Sequence, residues 1–497
     1  MNDTSDEGTT RGKIVSSVVA LAGRQAFITP LNVAATIIFS RSLKAYDFGA
    51  YAAASMIFFF AGGLAHLGLG AALIQQRHEP TREEQRTVFL TQLATTLVLS
   101  AAILFSAPHL AALYGLRPVD AELFRWMILP LVTSTLSSNS LVLLNRTLDF
   151  TTQAKIEVIQ VLGRLVLAVP LALAGFGAWS LVAGEILSSV TRHLLTLLSA
   201  PWSIGFHWNR DVLRRMARFG VRVQVSELSG MTQTNVYTFL AGPVFGVEAL
   251  GYLKWTHSLV RSFTEIIQQL LARVAYPAFS RMQDDPALLS RTIAQFIRYS
   301  LMLSLPLTLF LGAAFPQIVT TVYSERWLPG LSCLYGFAVY LLAQQWIVPL
   351  DTALKGTGRA GTSAGLMWGS TALIAGLAAL ASLFLPFWGI SAAYGAGSLI
   401  TLGFLFRTAR LENKRLFFDF TRPIFLASAF SFLIVWLLGQ RFHDGWPDLV
   451  ALFGLMVGLY LGALVALDRQ RLGRETDFAR QFFKKLLRSP GGDGPIA

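Results

Sequence analysis

Ionisable side chains recur at helical spacing inside a segment of this sequence that is otherwise apolar. Lys254, His257, Arg261, Glu265 and Gln268 follow one another at intervals of three or four residues, which places them on one face of a helix. A charge deep in a bilayer costs about 2.5–3.5 kcal/mol on insertion scales, so it normally faces a bundle interior or a wet cavity. We interpret this stripe as facing water within a membrane domain. A local Arg261–Glu265 pair is the structural alternative.

Two other apolar segments carry charged or amide side chains. Arg24, followed by Gln25, lies roughly 16 Å along a helix from the polar N-terminus, which puts it near mid-membrane. We interpret Arg24 as facing a cavity; the alternative is that its side chain snorkels to the membrane surface. The other segment carries Arg222, Glu227 and Asn235.

Cations outnumber anions in these segments, and this excess defines the chemistry that they favour. An anionic group would be stabilised there by Coulomb attraction at low dielectric and by charge-assisted hydrogen bonds. The pattern therefore predicts an internal path suited to a phosphate or a carboxylate. Arg164 and Glu185, on two neighbouring segments, are interpreted instead as a buried structural ion pair.

No catalytic constellation competes with this interpretation. The sequence has no Walker loop, no HExxH motif and no histidine pair at metal-ligand spacing. Its single cysteine, Cys333, excludes a disulfide framework and a cysteine metal cluster. We expect neither a catalytic site nor a metal site.

The composition identifies the elements that must position these residues. The chain has 497 residues, of which 54% are hydrophobic and 14% charged, with a mean hydropathy of +0.53. A soluble protein carries roughly 25% charged residues, and a single core stops growing near about 250–300 residues. The formal net charge is +13, but the basic residues fall in short gaps between apolar runs, which is typical of membrane topology and not of nucleic-acid binding. The chain is predicted to be a polytopic membrane protein.

Apolar runs of about 20 residues, the length that crosses a bilayer, occur about fourteen times. They predict an all-α fold whose gaps are too short for an extramembrane domain. The predicted spans are near 14–40, 48–73, 88–109, 122–145, 154–174, 176–199, 217–241, 248–273, 294–322, 329–354, 362–385, 387–408, 421–439 and 447–467.

Lysine and arginine concentrate in alternate gaps, so both termini are predicted to be cytoplasmic. Segments 47–51 and 248–252 resemble each other, as do 144–147 and 354–357, which suggests a parallel duplication of a six-helix unit. The predicted organisation is an N-terminus (1–13), an N-lobe (14–199), a linker (200–216), a C-lobe (217–408), two appended helices (421–467) and a basic cytoplasmic tail (468–497). Residues 475–489 of this tail form either an amphipathic surface helix or an ordinary polar extension.

The order of several short motifs resembles the polysaccharide, O-antigen type flippases of the multidrug/oligosaccharidyl-lipid/polysaccharide (MOP) superfamily, over roughly residues 14–440. Each motif is modest, but their series is specific. The motifs are Ile38-Phe39-Ser40-Arg41-Ser42-Leu43, Asp47-Phe48-Gly49, Leu67-Gly68-Leu69-Gly70, Leu144-Asn145-Arg146, Gly175-Phe176-Gly177-Ala178-Trp179, Tyr276-Pro277-Ala278-Phe279-Ser280-Arg281 and Leu354-Lys355-Gly356.

The resemblance implies a transporter of the bacterial inner membrane, and no enzyme activity. Such proteins flip undecaprenyl-pyrophosphate-linked oligosaccharides by alternating access of two six-helix lobes, for lipopolysaccharide, capsule or exopolysaccharide synthesis. Membrane lipids surround them, and a polysaccharide polymerase and export machinery are further expected partners; nucleic acid is not. No cofactor is implied beyond a coupling proton or sodium ion.

Site residues are carried over from the resemblance by position. Four cations would contact the pyrophosphate or acidic sugars: Arg24, Arg222, Lys254 and Arg261. Glu227 and Glu265 are candidates for ion coupling, and four polar side chains complete the cavity: Gln25, Asn235, His257 and Gln268. Many relatives have an aspartate two residues after the asparagine, whereas Val236 and Tyr237 follow Asn235 here, so ion coupling at that point is doubtful.

Two other functions stay open. A multidrug exporter of the same superfamily would have an acidic, cation-accepting interior. A membrane glycosyltransferase or polymerase would need a sizeable extracytoplasmic loop with catalytic residues, and the outward gaps are short.

Overall fold

Every regular element that the structure describes is helical, as the sequence predicts. The computed structural model describes residues 23–25, 27–147, 149–409, 411, 414–439 and 445–487, with their side chains except those of 263–274, 276–277 and 474–487. The side chains of the predicted polar residues Glu265 and Gln268 therefore lie outside the described set, as do those of the whole predicted amphipathic segment, 475–489.

The helices are numbered here in chain order. The first, α1, covers 23–25 and 27–42. It is followed by α2 Ala45–His66, α3 Leu69–Gln75, α4 Arg82–Leu113, α5 Ala121–Trp126, α6 Ile128–Leu136, α7 Ser138–Arg146, α8 Phe150–Leu173, α9 Ala178–Ser199, α10 Arg210–Phe245, α11 Val247–Arg281, α12 Pro286–Ala313, α13 Phe315–Ile318, α14 Leu331–Gly356, α15 Ala360–Phe384, α16 Trp388–Thr408, α17 Lys414–Gly439 and α18 Trp446–Leu487.

Ten helices of the described chain are long and apolar enough to cross a membrane. A bent pair, Pro118–Leu136 with Ser138–Arg146 at 46°, adds an eleventh if it is one span. Helices α10 and α11 have the necessary length but carry several charged residues, and α1 is described only in part. The chain is a multi-pass membrane protein.

The described residues form two compact units. The first contains the described residues up to Ser262 together with Val322–Ala343 and Arg359–Leu405. In this unit α8 packs along α9, and α10 packs against α2, α3 and α15. The second contains Phe263–Thr321, Gln344–Gly358 and the described residues from Phe406 onward, and in it α17 packs against α12 and α18.

The two segments that echo each other in the sequence meet in the first unit. A side chain added at Gly49 of α2 would lie 1.9 Å from the carbonyl oxygen of Val247, and one added at Gly251 of α11 would lie 1.9 Å from that of Ala45. Each glycine therefore admits the backbone of the other segment, which only a residue without a Cβ can do. The contact brings the two similar segments together, and the duplication itself stays a prediction.

Side-chain caps define where three helices of the first unit begin. Thr81 and Glu84 form a capping box at α4, and Asn209 accepts from the backbone N–H groups of Asp211 and Val212 at the start of α10. Asp149 accepts from the backbone N–H of Thr152 (3.0 Å) before α8, and this hydrogen bond lowers the pKa of its carboxyl group. Because such caps satisfy otherwise unpaired backbone donors, they fix the register of the helices that position the site.

The second unit contains a buried ion pair. Arg298 of α12 is fully buried, and its Nη1 lies 2.7 Å from Asp468 Oδ2 and donates to the carbonyl oxygen of Phe420 (2.8 Å). Asp468 has non-helical backbone angles inside α18 (φ −142°, ψ 35°), where the helix is kinked. The pair thus joins α12 to α17 and to the kink of α18.

Candidate functional site

The first unit contains a partly open cavity of about 600 Å³. Its wall is assembled from α2, α3, α4, α6, α7, α8, α9 and α10. Aromatic and small side chains cover part of it, including Phe58, Phe59, Gly62, Gly63 and Met231. A volume of this size is within the range of sites for small molecules, about 300–1,000 Å³.

Charged groups of both signs line this cavity, which we call the inner cavity. Glu185 and Arg192 of α9 and Glu227 of α10 face it. Tyr51 donates to Glu185 (3.4 Å), whereas Arg192 and Glu227 make no hydrogen bond or ion pair within the described part of the chain. Among the predicted site residues whose side chains the structure describes, Glu227 is the one that lines the inner cavity.

Uncharged polar groups surround these charges. His193 is within hydrogen-bonding distance of Ser137 (2.9 Å), and Asn145 accepts from Gln153 (3.1 Å). Further polar side chains complete the lining: His66, Gln92, Ser134, Ser138, Gln160, Ser189, Thr196 and Gln224. The cavity therefore offers both donors and acceptors within a membrane-spanning unit.

Two amides of the inner cavity are buried with one polar atom unpaired. Gln92 Oε1 and Gln224 Nε2 have no hydrogen-bond partner in the described structure, although these residues are only 1% and 5% exposed. Buried polar atoms are almost always hydrogen bonded in native proteins. These two atoms therefore leave one acceptor and one donor available to water or to a ligand in the cavity.

The predicted cation Arg24 is paired within the first unit. Its Nη1 forms a short ion pair with Glu157 of α8, and its Nη2 lies 3.2 Å from Gln25 Oε1. On the same two helices, Arg164 donates to Asn32 (2.6 Å). Together these contacts bind α1 to α8, so the charge of Arg24 is compensated in this conformation.

The predicted ion pair between Arg164 and Glu185 is wrong. Within the described structure Arg164 donates to Asn32 (2.6 Å), and Glu185 accepts from Tyr51 (3.4 Å).

The predicted residues of α10 lie on two faces of that helix. Arg222 is exposed and, like Arg214 and Arg218 at intervals of four residues, makes no hydrogen bond or ion pair with any described residue. Arg215 instead pairs with the buried carboxylate of Glu84 (2.6 Å). Asn235 donates to the backbone carbonyl of Met231 (2.9 Å) in its own helix.

On α11 the predicted residues have different environments. Lys254 is half-buried and Arg261 is exposed, but His257 is buried. The His257 ring lies 5.0 Å from the ring of Phe337 and 5.4 Å from that of Tyr237, centroid to centroid. His257 therefore belongs to an aromatic cluster and does not line the inner cavity.

Sequence reasoning missed Gln92, His193 and Gln224 as site residues. They lie on three helices that are far apart in the chain, so no spacing pattern links them. Their position inside predicted apolar spans was the available signal, since polar residues at membrane depth normally face a cavity or another helix.

Comparison with known proteins identifies the family. A family model described as "Polysaccharide biosynthesis protein" matches residues 38–331, more than half of the chain. The chain belongs to this family. It is 24% identical over 360 residues to "Teichuronic acid biosynthesis protein TuaB" of Bacillus subtilis (strain 168), covering 71% of each chain.

Two other relatives are matched over nearly their whole length. "Succinoglycan biosynthesis transport protein ExoT" of Rhizobium meliloti (strain 1021) is 24% identical over 478 residues, covering 92% of this chain and 93% of that one. "Lipopolysaccharide biosynthesis protein WzxC" of Escherichia coli (strain K12) is 22% identical over 453 residues, covering 90% and 89%. The predicted assignment to the polysaccharide flippases is confirmed.

Two solved structures share the fold. "Lipid II flippase MurJ, inward closed conformation" aligns with a TM-score of 0.75 at 15% identity, covering 91% of this chain and 100% of that one. An inward-facing multidrug resistance MATE family transporter of the MOP superfamily aligns with a TM-score of 0.62 at 16% identity, covering 80% and 98%. These two alignments show that the chain has the same fold as the two solved transporters.

Proposed function

We propose that this protein flips a polyprenyl-pyrophosphate-linked oligosaccharide, with undecaprenol as the lipid, across the bacterial inner membrane by alternating access. The observation that carries the proposal is the family match over residues 38–331. The names of the relatives support it, because they are biosynthesis and transport proteins of teichuronic acid, succinoglycan and lipopolysaccharide. The cargo would therefore serve lipopolysaccharide, capsule or exopolysaccharide synthesis.

The electrostatics of α10 support an anionic cargo. Arg214, Arg218 and Arg222 recur every four residues, so they share one face of the helix, and none has a partner in the described structure. A pyrophosphate would gain charge-assisted hydrogen bonds from such a row. Lys254 and Arg261 would add further cations; Arg24 would contribute only in a state that releases it from Glu157.

A fourteen-span topology accompanies the proposal. The ten helices and the bent pair, together with α1, α10 and α11, make up that number, and α10 and α11 would be polar because they face a wet path. The excess of lysine and arginine in alternate gaps supports cytoplasmic termini. The lobes would be 14–199 and 217–408, and a polymerase and export machinery would act on the flipped product.

A coupling ion would bind at a carboxylate. Glu227 faces the inner cavity without a protein partner in the described structure, so a proton or a sodium ion would be its natural counter-charge; Glu265 is the other candidate. We expect that Glu227→Gln abolishes the dependence of transport on an imposed proton or sodium gradient. Glu248→Gln, at an exposed position in the first turn of α11, is the matched control and should keep that dependence.

Reconstitution tests the function itself. Full-length protein in liposomes, supplied with a fluorescent polyprenyl-pyrophosphate oligosaccharide and an external quencher, should move label between leaflets faster than protein-free liposomes do. The same vesicles should not accumulate a cationic dye. Dye accumulation without movement of the glycolipid would replace the proposal with a multidrug exporter.

A further inference from the structure

The inner cavity has an unusual combination of unpaired groups. Gln92 Oε1 is an acceptor and Gln224 Nε2 is a donor, both buried and without a partner in the described structure. The orientation of Gln92 is fixed, because its Nε2 donates to the backbone carbonyl of His66 (3.1 Å). The atom that points away from this bond is therefore the acceptor.

A simple ion does not fit this pair of atoms. A metal cation could bind Gln92 Oε1 but would leave the Gln224 donor unpaired. An inorganic anion would leave the Gln92 acceptor unpaired and would face the carboxylates of Glu185 and Glu227. A single ligand that pairs both atoms must both donate and accept hydrogen bonds.

Hydroxyl groups meet this requirement, because each has one donor proton and two acceptor lone pairs. Carboxylate, amide and guanidinium groups together can bind several hydroxyls of one molecule. Phe58 and Phe59, whose ring centroids are 5.2 Å apart, lie in the same wall and provide an apolar surface for the C–H face of a sugar ring. Gly62 and Gly63 add no side chain to fill the space beside them.

We infer that the inner cavity is a carbohydrate subsite, which holds one or two sugar rings between Gln92, Gln224, Arg192 and the two phenylalanines. This inference deepens the proposed function and rests on it: the sugar would be part of the glycolipid headgroup. The arginine row of α10, on another face of that helix, would serve the pyrophosphate. Sugar and phosphate would therefore be recognised by separate groups.

The test uses full-length protein in nanodiscs and measures binding, not transport. The probes are the methyl glycosides of glucose, galactose and N-acetylglucosamine, with inorganic pyrophosphate and sodium ion for comparison. Saturation-transfer NMR should show contact with at least one glycoside. Gln224→Met, which preserves shape but removes the donor, should weaken that binding about tenfold.

Two controls keep this result interpretable. Gln75→Met, at the exposed end of α3, should bind the glycoside as the natural chain does. Arg192→Gln provides a second variant if Gln224→Met lowers the melting temperature, and it should also weaken binding.

The outcomes separate the two proposals. Absence of saturation transfer from all three glycosides, or equal binding by the Gln224→Met and Gln75→Met variants, would overturn the subsite. So would a melting-temperature shift caused by pyrophosphate or sodium that depends on Gln224. If glycosides bind as expected but the reconstituted chain moves no glycolipid, the proposed transport function fails and the carbohydrate subsite stands.

Discussion

Two polar regions of this protein differ in whether other protein groups pair with their polar side chains. In the second unit, Arg298 has both Asp468 and the carbonyl of Phe420 as partners. In the first unit, Arg192 and Gln224 Nε2 line a cavity and have no partner in the described structure. A satisfied charge holds helices together, whereas an unsatisfied one is available to a ligand. The contrast separates polar groups that the protein pairs internally from groups that stay available to a ligand.

The largest loss of stability is expected for a substitution in the second unit. Arg298→Ala would leave the carboxylate of Asp468 buried without its counter-charge, which costs about 3–5 kcal/mol for a pair of this kind. We expect a strongly lowered melting temperature in detergent and little protein in the membrane fraction. Arg407→Ala, at an exposed arginine of α16, is the control and should behave like the natural chain. Equal stability of the two variants would show that the Arg298 pair is not structural.

A smaller loss of stability is expected for substitution of Arg24, whose ion pair joins α1 to α8. Arg24→Ala leaves Glu157, which is about one-third exposed, and should cost about 1–3 kcal/mol of stability. Adding Glu157→Gln should restore most of this loss, because the unpaired charge is then removed. Measuring transport in the same double variant separates two roles of Arg24. Recovery of transport together with stability makes Arg24 structural, and transport that stays lost assigns it to the cargo, as the sequence predicts.

The smallest effect on stability is expected for the unpaired cation of the inner cavity. Arg192→Gln removes no hydrogen bond or ion pair that the described structure contains. The free energy of unfolding should therefore change by no more than about 0.5 kcal/mol, and the melting temperature should shift correspondingly little. Thermal unfolding beside Arg298→Ala checks this directly. A loss as large as that of Arg298→Ala would erase the distinction between the two regions.

The all-helical fold and the family could be predicted from the sequence. Long apolar runs identify most spans because a bilayer demands both length and hydrophobicity. The short motifs were informative because they mark close contacts: Gly49 and Gly251 each accommodate the backbone of the other segment. Such contacts leave a local residue preference that a single sequence displays.

The inner cavity could not be predicted in the same way. Gln92 of α4 and Gln224 of α10 line the same cavity, and helical periodicity carries no information on pairs so distant in the chain. The partner of Arg24 is Glu157, 133 residues away, so its charge compensation was also hidden. The predicted polar stripe on α11 failed in a different way. Helical spacing placed His257 on a water-facing side of the helix, whereas the fold buries it among aromatic rings.

We propose that cations with no partner in the described structure move the anionic glycolipid. The most direct test is the initial rate of glycolipid flipping in liposomes by Arg222→Ala, beside Arg77→Ala at an exposed loop arginine. Each variant removes one exposed cation, so any effect of the change in net charge on the flipping rate is the same in both. We expect at least about a tenfold loss for Arg222→Ala, as for loss of a charge-assisted hydrogen bond, and an unchanged rate for Arg77→Ala. Equal rates for the two variants, at equal amounts of folded protein, would contradict the claim.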